Sequence, residues 1–139
     1  MHDKTKIVLL DEVNYQVRRM TPAVGSHIWQ LLMKAVYKAQ EGQKEEVVSA
    51  PPPDAPKPSN EERLRGMCGV AFMFLSFDDF QFIQRNCMLK LSCEEAAVGY
   101  LPVMADDGRW AAKDLEDNPF LVTRLTVEVL VFNLSSFLA

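Results

Sequence analysis

The sequence predicts an α+β fold that is mainly helical: an N-terminal β-hairpin followed by about four helices, with a second short hairpin left open as an alternative. Three observations carry this expectation. Two β-rich runs flank a turn near the N-terminus, Thr21-Pro22 opens a long amphipathic stretch, and Asn118-Pro119 opens a closing stretch that is apolar around most of its circumference. At 139 residues, with 48% hydrophobic and 24% charged side chains, the chain has the balance of one globular domain with a modest core.

Lys6-Ile-Val-Leu-Leu10 and Tyr15-Gln-Val-Arg-Arg-Met20 are the two β-rich runs, and Asp11-Glu-Val-Asn14 supplies the turn. Side chains alternate across a strand, so Tyr15, Val17 and Arg19 share one face and Tyr15 and Val17 are expected in the core. Arg18 is then expected in solvent, and the Arg18-Arg19 doublet reads as a strand-edge solubiliser. Thr21 is a candidate N-cap with proline at the first helical position, and Gly42 a candidate stop, which predicts a helix to about Gln40. Its main apolar stripe is Ile28, Leu31, Leu32, Ala35, Val36 and Ala39, with Trp29, Met33 and Tyr37 as an adjoining stripe.

Residues 43–59 change character, from a charged run to a proline-dense one, and read as a flexible linker or loop within the single domain 1–139. Ser59 and Asn60 with Glu61 and Glu62 restart a helix, in which Leu64, Met67, Cys68, Ala71, Phe72 and Leu75 recur at helical spacing. Gly66 and Gly69 are expected to permit close backbone packing there. Ser76 reads as the cap of a further helix to about Leu91, with Phe77, Phe80, Ile83, Cys87 and Leu91 as its buried stripe. Residues 93–113 read as an extended excursion or second hairpin around the Asp107-Gly108 turn. The final helix, from Pro119 to about Leu138, carries Leu121, Leu125, Val129, Phe132 and Phe137, and needs cover on several sides.

The net charge of -4 offers no basic field for phosphate backbones, which argues against nucleic acid as a partner. Thr123, Arg124, Thr126, Glu128 and Asn133 interrupt the closing apolar stretch, which argues against a membrane span. Three cysteines, Cys68, Cys87 and Cys93, read as reduced thiols with no disulfide framework. Their spacing, and that of His2 and His27, matches no metal site, and no cofactor is expected. No glycine loop for phosphate, calcium loop or carboxylate dyad is present, and a Cys87–His27 nucleophile and base pair would need a thiol from the predicted core stripe. The chain therefore reads as a binding protein rather than an enzyme.

Apolar surface is the remaining resource. Trp29, Met33 and Tyr37 of the first helix, with Leu125, Val129 and Phe132 of the last, are expected to form a partner-binding or self-association interface, because two wide apolar faces exceed the cover a small domain supplies.

The opening, Ile7-Val-Leu-Leu-Asp11 and then Tyr15-Gln-Val-Arg-Arg-Met-Thr-Pro-Ala-Val-Gly-Ser-His-Ile-Trp-Gln-Leu-Leu32, resembles that of tail assembly chaperones from long-tailed, siphovirus-type bacteriophages. The ending, Asp117-Asn-Pro-Phe-Leu-Val-Thr-Arg-Leu-Thr-Val-Glu-Val-Leu-Val-Phe-Asn-Leu-Ser-Ser-Phe137, resembles their hydrophobic closing helix. The resemblance implies a protein of the bacterial host cytoplasm, not expected in the mature virion. It implies binding to the long, helical tape measure protein until tail tube protein polymerises around it, with adaptable contacts from Met20, Met33, Met67, Met73 and Met88. The proline-rich insert departs from the family pattern. The competing readings are a structural tail or head-completion protein retained in the virion and a small thiol enzyme using Cys87 or Cys68.

Overall fold

The computed structural model describes residues 4–41 and 56–138, so Gly42 and residues 43–55 of the proline-rich segment lie outside the described residues. Strands β1 (Thr5–Leu10) and β2 (Val13–Arg18) pair antiparallel with Leu10 opposite Val13, leaving a two-residue turn at Asp11 and Glu12. Both turn residues have positive φ, 49° and 66°, as in the primed turns whose twist matches a hairpin. Tyr15 and Val17 point inward with Val8, as their alternation requires. The fold is α+β and mainly helical.

The second hairpin forms, from a different segment than the Asp-Gly turn suggests. Strand β3 (Leu91–Glu95) pairs with β2, and β4 (Gly99–Pro102) with β3, giving one antiparallel sheet in the order β1-β2-β3-β4. The preceding helix stops at Met88 rather than Leu91. Leu91 keeps its buried place opposite Val17 because its position satisfies both a helical stripe and the inward face of a strand. The Asp106–Gly108 turn closes a smaller excursion with a single bridge, Met104 to Trp110. Gly108 has φ of +89°, and Arg85 lies where a Cβ would stand, with its guanidinium donating to the Asp107 carbonyl at 3.2 Å.

Helix α1 (Pro22–Glu41) buries Gly25, Ile28, Leu32, Ala35 and Ala39. Helices α2 (Asn60–Phe72) and α3 (Phe77–Met88) are each capped by serine: Ser59 accepts from the Glu62 N–H and Ser76 from the Asp79 N–H, both at 3.1 Å. Gly66 and Gly69 lie on the exposed side of α2, where a Cβ at either position would meet nothing within 4 Å, so they serve no close packing. The α2 stripe that meets the core is Leu64, Cys68 and Ala71. A single turn, α4 (Lys113–Glu116), precedes α5 (Pro119–Leu134), which Asn118 caps at 3.2 Å and which runs into a 3-10 turn, Ser135–Leu138.

Helix α5 is the centre of the domain. It touches α1, α2, α3, α4 and β2, and buries residues on all sides from Leu121 to Leu134. By length and composition Pro119–Leu138 could cross a membrane. The five polar residues that interrupt it each have a defined partner within the fold. Thr123 and Thr126 donate to the Pro119 and Val122 carbonyls at 2.9 and 2.8 Å. Arg124 pairs with Asp11 at 3.2 Å, and Glu128 takes a two-pronged contact from Arg65 of α2, the shorter prong 2.8 Å. Asn133 accepts from the Met20 N–H at 2.8 Å and donates to the Arg18 and Val129 carbonyls at 3.2 and 3.0 Å.

The arginine doublet at the end of β2 closes helices instead of solubilising an edge. Arg18 does not extend into solvent: it donates to the Leu89 carbonyl, just past α3, at 3.0 Å, and its Nε is buried without a hydrogen-bond partner among the described residues. Arg19 lies 3.8 Å over the Phe132 ring and donates to the Phe132 carbonyl in the last turn of α5. Cations at these positions complement the negative ends of two helix dipoles.

Candidate functional site

The six residues expected at an interface do not form one surface. Leu125 and Val129 are fully buried in the monomer, which corrects their assignment to a docking face. The reason is cover: the central placement of α5 lets the chain's own elements enclose an apolar circumference that its composition alone assigns to a second copy. Phe132 is half-buried beneath Arg19. Trp29 is half-buried and stacks on Phe137, with ring centroids 5.0 Å apart, and Met33 is half-buried as well. Of the six only Tyr37 is open, 66% exposed.

A run of exposed apolar side chains lies elsewhere, at the corner between α2 and α3. Met73 and Phe77 are 73% and 72% exposed, and Val70 and Phe74 are also open. Helical spacing alone puts Phe77 in the buried stripe of its helix. Ser76 capping makes it the first helical residue, and it overhangs the corner while Ile83 and Cys87, further along, reach the core. Phe72 and Phe80 brace the corner from within, edge to face at 5.2 Å. A cleft of about 60 Å³ separates the corner from α1, lined by Leu31, Lys34 and Lys38 on one side and Phe74 and Leu75 on the other. The surface is thus apolar, with two lysines on its α1 side.

The signal for this corner is present in Val70-Ala-Phe-Met-Phe-Leu-Ser-Phe77. Six of these eight residues are large and apolar, and one helix turn presents only part of its circumference to a core, so some must remain outside. Of the methionines expected to give adaptable contacts, Met88 is fully buried, Met20, Met33 and Met67 are half-buried, and Met73 is open.

Thiol chemistry finds little support in the geometry. Cys87 is fully buried and burial holds its thiol well above the ordinary value, while burial pushes Cys68 up to about 12. His27, the base that sequence reasoning pairs with Cys87, is exposed and rests against the Phe82 ring at 4.7 Å. Among the described residues no group of three or more His, Cys, Asp or Glu is placed to hold a metal ion. Comparison with protein-family models, curated proteins and solved structures gives no match.

Proposed function

We propose that the chain is a tail assembly chaperone of a long-tailed bacteriophage, which binds and solubilises the helical tape measure protein before tail tube polymerisation. The observation that carries the reading is the exposed corner of Val70, Met73, Phe74 and Phe77, four large apolar side chains close together in the chain. Such a surface suits the apolar stripe of an amphipathic helix, which needs a patch of flexible and aromatic side chains and little sequence specificity. The residue resemblance at both ends supplies the biological setting: the cytoplasm of a bacterial host, with release as tail tube protein arrives. In this reading the corner and Tyr37 also carry self-association when tape measure protein is lacking, in place of Leu125 and Val129.

The test is co-expression with a tape measure protein from the same phage genome. The two should co-purify, the tape measure should become soluble, and purified virions should lack the chain. A variant carrying Met73→Ser and Phe77→Ser should lose the complex while folding normally. Absence of any complex with the wild-type chain sinks the proposal, and stoichiometric presence in virions points instead to a structural tail or head-completion protein.

A further inference from the structure

A cavity separate from the α2–α3 corner lies between the sheet and the turn before α5. It measures about 580 Å³, within the range of small-molecule sites. Its construction follows from strand alternation. Val13 and Tyr15 of β2 and Cys93 and Glu95 of β3 lie on the inward face, with Tyr15 directly opposite Cys93. The turn before α5, including Asp114 and Leu115 of α4, forms the facing wall, and Leu121 closes the floor.

Two features mark this cavity as a site. First, Tyr15 is 3% exposed, lines the cavity, and its hydroxyl makes no hydrogen bond to a described residue. The ring is buried, but the hydroxyl oxygen is not sealed from solvent, so it opens onto the cavity without a partner from the described residues. Second, the charge is one-sided: Asp11, Glu95 and Asp114 face Lys113 alone among the lining residues. Asp11 is matched by Arg124, whereas Glu95 and Asp114 have no ion pair among the described residues. Both polar groups of the inner wall register this field: burial and then Glu95, Glu94 and Asp114 raise the Cys93 thiol, and burial, Cys93 and Asp11 raise the Tyr15 hydroxyl.

We propose that this cavity binds an organic cation with an apolar stem, an alkylammonium or alkylguanidinium group. The head sits between Glu95, Asp114 and the Tyr15 hydroxyl, and the stem lies on Val13, Leu115 and Leu121. The carboxylates accept from the cation, the phenolic oxygen accepts a further N–H, and the apolar floor excludes a fully hydrated inorganic ion. A free amine and a Lys or Arg side chain of a partner polypeptide share this chemistry. The inference is independent of the chaperone reading.

The experiment is a titration of the isotopically labelled chain followed by backbone amide shifts, with n-butylammonium, N-acetyl-lysine-amide and butyrate as probes. Butylammonium should give saturable shifts at Cys93, Glu95 and residues 113–115, and butyrate should give none. Charged hydrogen bonds of this kind set the scale: Glu95→Gln with Asp114→Asn should weaken binding about tenfold. Tyr15→Phe should weaken it by a smaller factor, and if that variant fails to fold, Glu95→Gln alone decides, since Glu95 is exposed. Equal binding of the capped lysine assigns the site to a polypeptide side chain, and its exclusion assigns it to a free amine. No saturable shift, equal binding of butyrate, or unchanged affinity in the carboxylate variants overturns the proposal.

Discussion

Helix α5 and the α2–α3 corner are both rich in large apolar residues, yet one forms the centre of the core and the other stands in solvent. In α5 the apolar residues spread around the helix, and five neighbouring elements enclose them. At the corner Met73 and Phe74 follow the last turn of α2, and Phe77 begins α3, where the chain reverses and none of the described elements passes outside. Hydrophobicity states how much surface needs cover, and position in the fold decides whether it is found. The contrast predicts that substitutions of similar chemistry will act on stability in α5 and on association at the corner.

The largest effect belongs to the helix centre. Leu125→Ala removes a fully buried side chain from the core, and should cost about 2–5 kcal/mol. Urea unfolding followed by circular dichroism measures it. A cost below about 1 kcal/mol would mean that α5 is not enclosed as described.

Next is the join between sheet and helix. Asn133 ties the end of β2 to α5 through the Met20 N–H and the Arg18 carbonyl. Asn133→Ala leaves these half-buried groups without partners and should cost about 1–3 kcal/mol by the same measurement. An unchanged unfolding midpoint would show that water replaces the side chain freely.

How much of this is legible in the sequence depends on whether the signal is local. The caps at Ser59, Ser76 and Asn118 and the inward Tyr15 and Val17 are local chemistry, and helices α2, α3 and α5 begin where the caps place them. Strand β3 escapes a reading of the sequence because Leu-Ser-Cys-Glu-Glu has weak strand propensity, and its pairing depends on the partner edge that β2 offers. Arg18 and Arg19 mislead for a related reason. Strand alternation gives the direction in which a side chain leaves the backbone, but a long arginine can turn back to a helix end more than 70 residues away in sequence. For the candidate site, Tyr37 is legible, and the eight-residue run 70–77 tells that some apolar side chains stay outside but not which, until its chain reversal is known.

Buried thiols provide a third, pH-dependent difference, with no effect near neutrality. The ordinary cysteine value is 9.0, and Cys68 in the fold is pushed up to about 12 by burial. The native state therefore holds its proton where the unfolded chain has lost it. This contribution is fully present below about pH 9 and is lost as pH rises from there through about 12. Unfolding free energy should fall over that window, and fall less steeply in Cys68→Ala. An identical slope in the variant would assign the alkaline loss to other groups. A thiol reagent at about pH 8 should label Cys93 readily and leave the buried Cys68 and Cys87 unmodified until the chain unfolds.

The smallest effect on stability is expected at the corner, and it is the sharpest test of the comparison. Met73 and Phe77 are each more than 70% exposed, so their replacement by serine removes little surface that folding had taken from water. Met73→Ser and Phe77→Ser should each shift stability by no more than about 0.5 kcal/mol, the usual range for surface substitutions. Their exposed area is nevertheless what a helical partner would cover, and truncating a central apolar anchor commonly weakens association by a factor of about ten or more, roughly 1.4 kcal/mol or greater. The two variants should therefore keep the wild-type unfolding midpoint and lose tape measure binding, with a parallel drop in self-association by sedimentation. Tyr37→Ser separates the surfaces: a loss equal to that of Phe77→Ser extends the interface onto α1, whereas full retention confines it to the corner. If the corner variants unfold like Leu125→Ala, those side chains are structural and the distinction between covered and uncovered apolar surface fails.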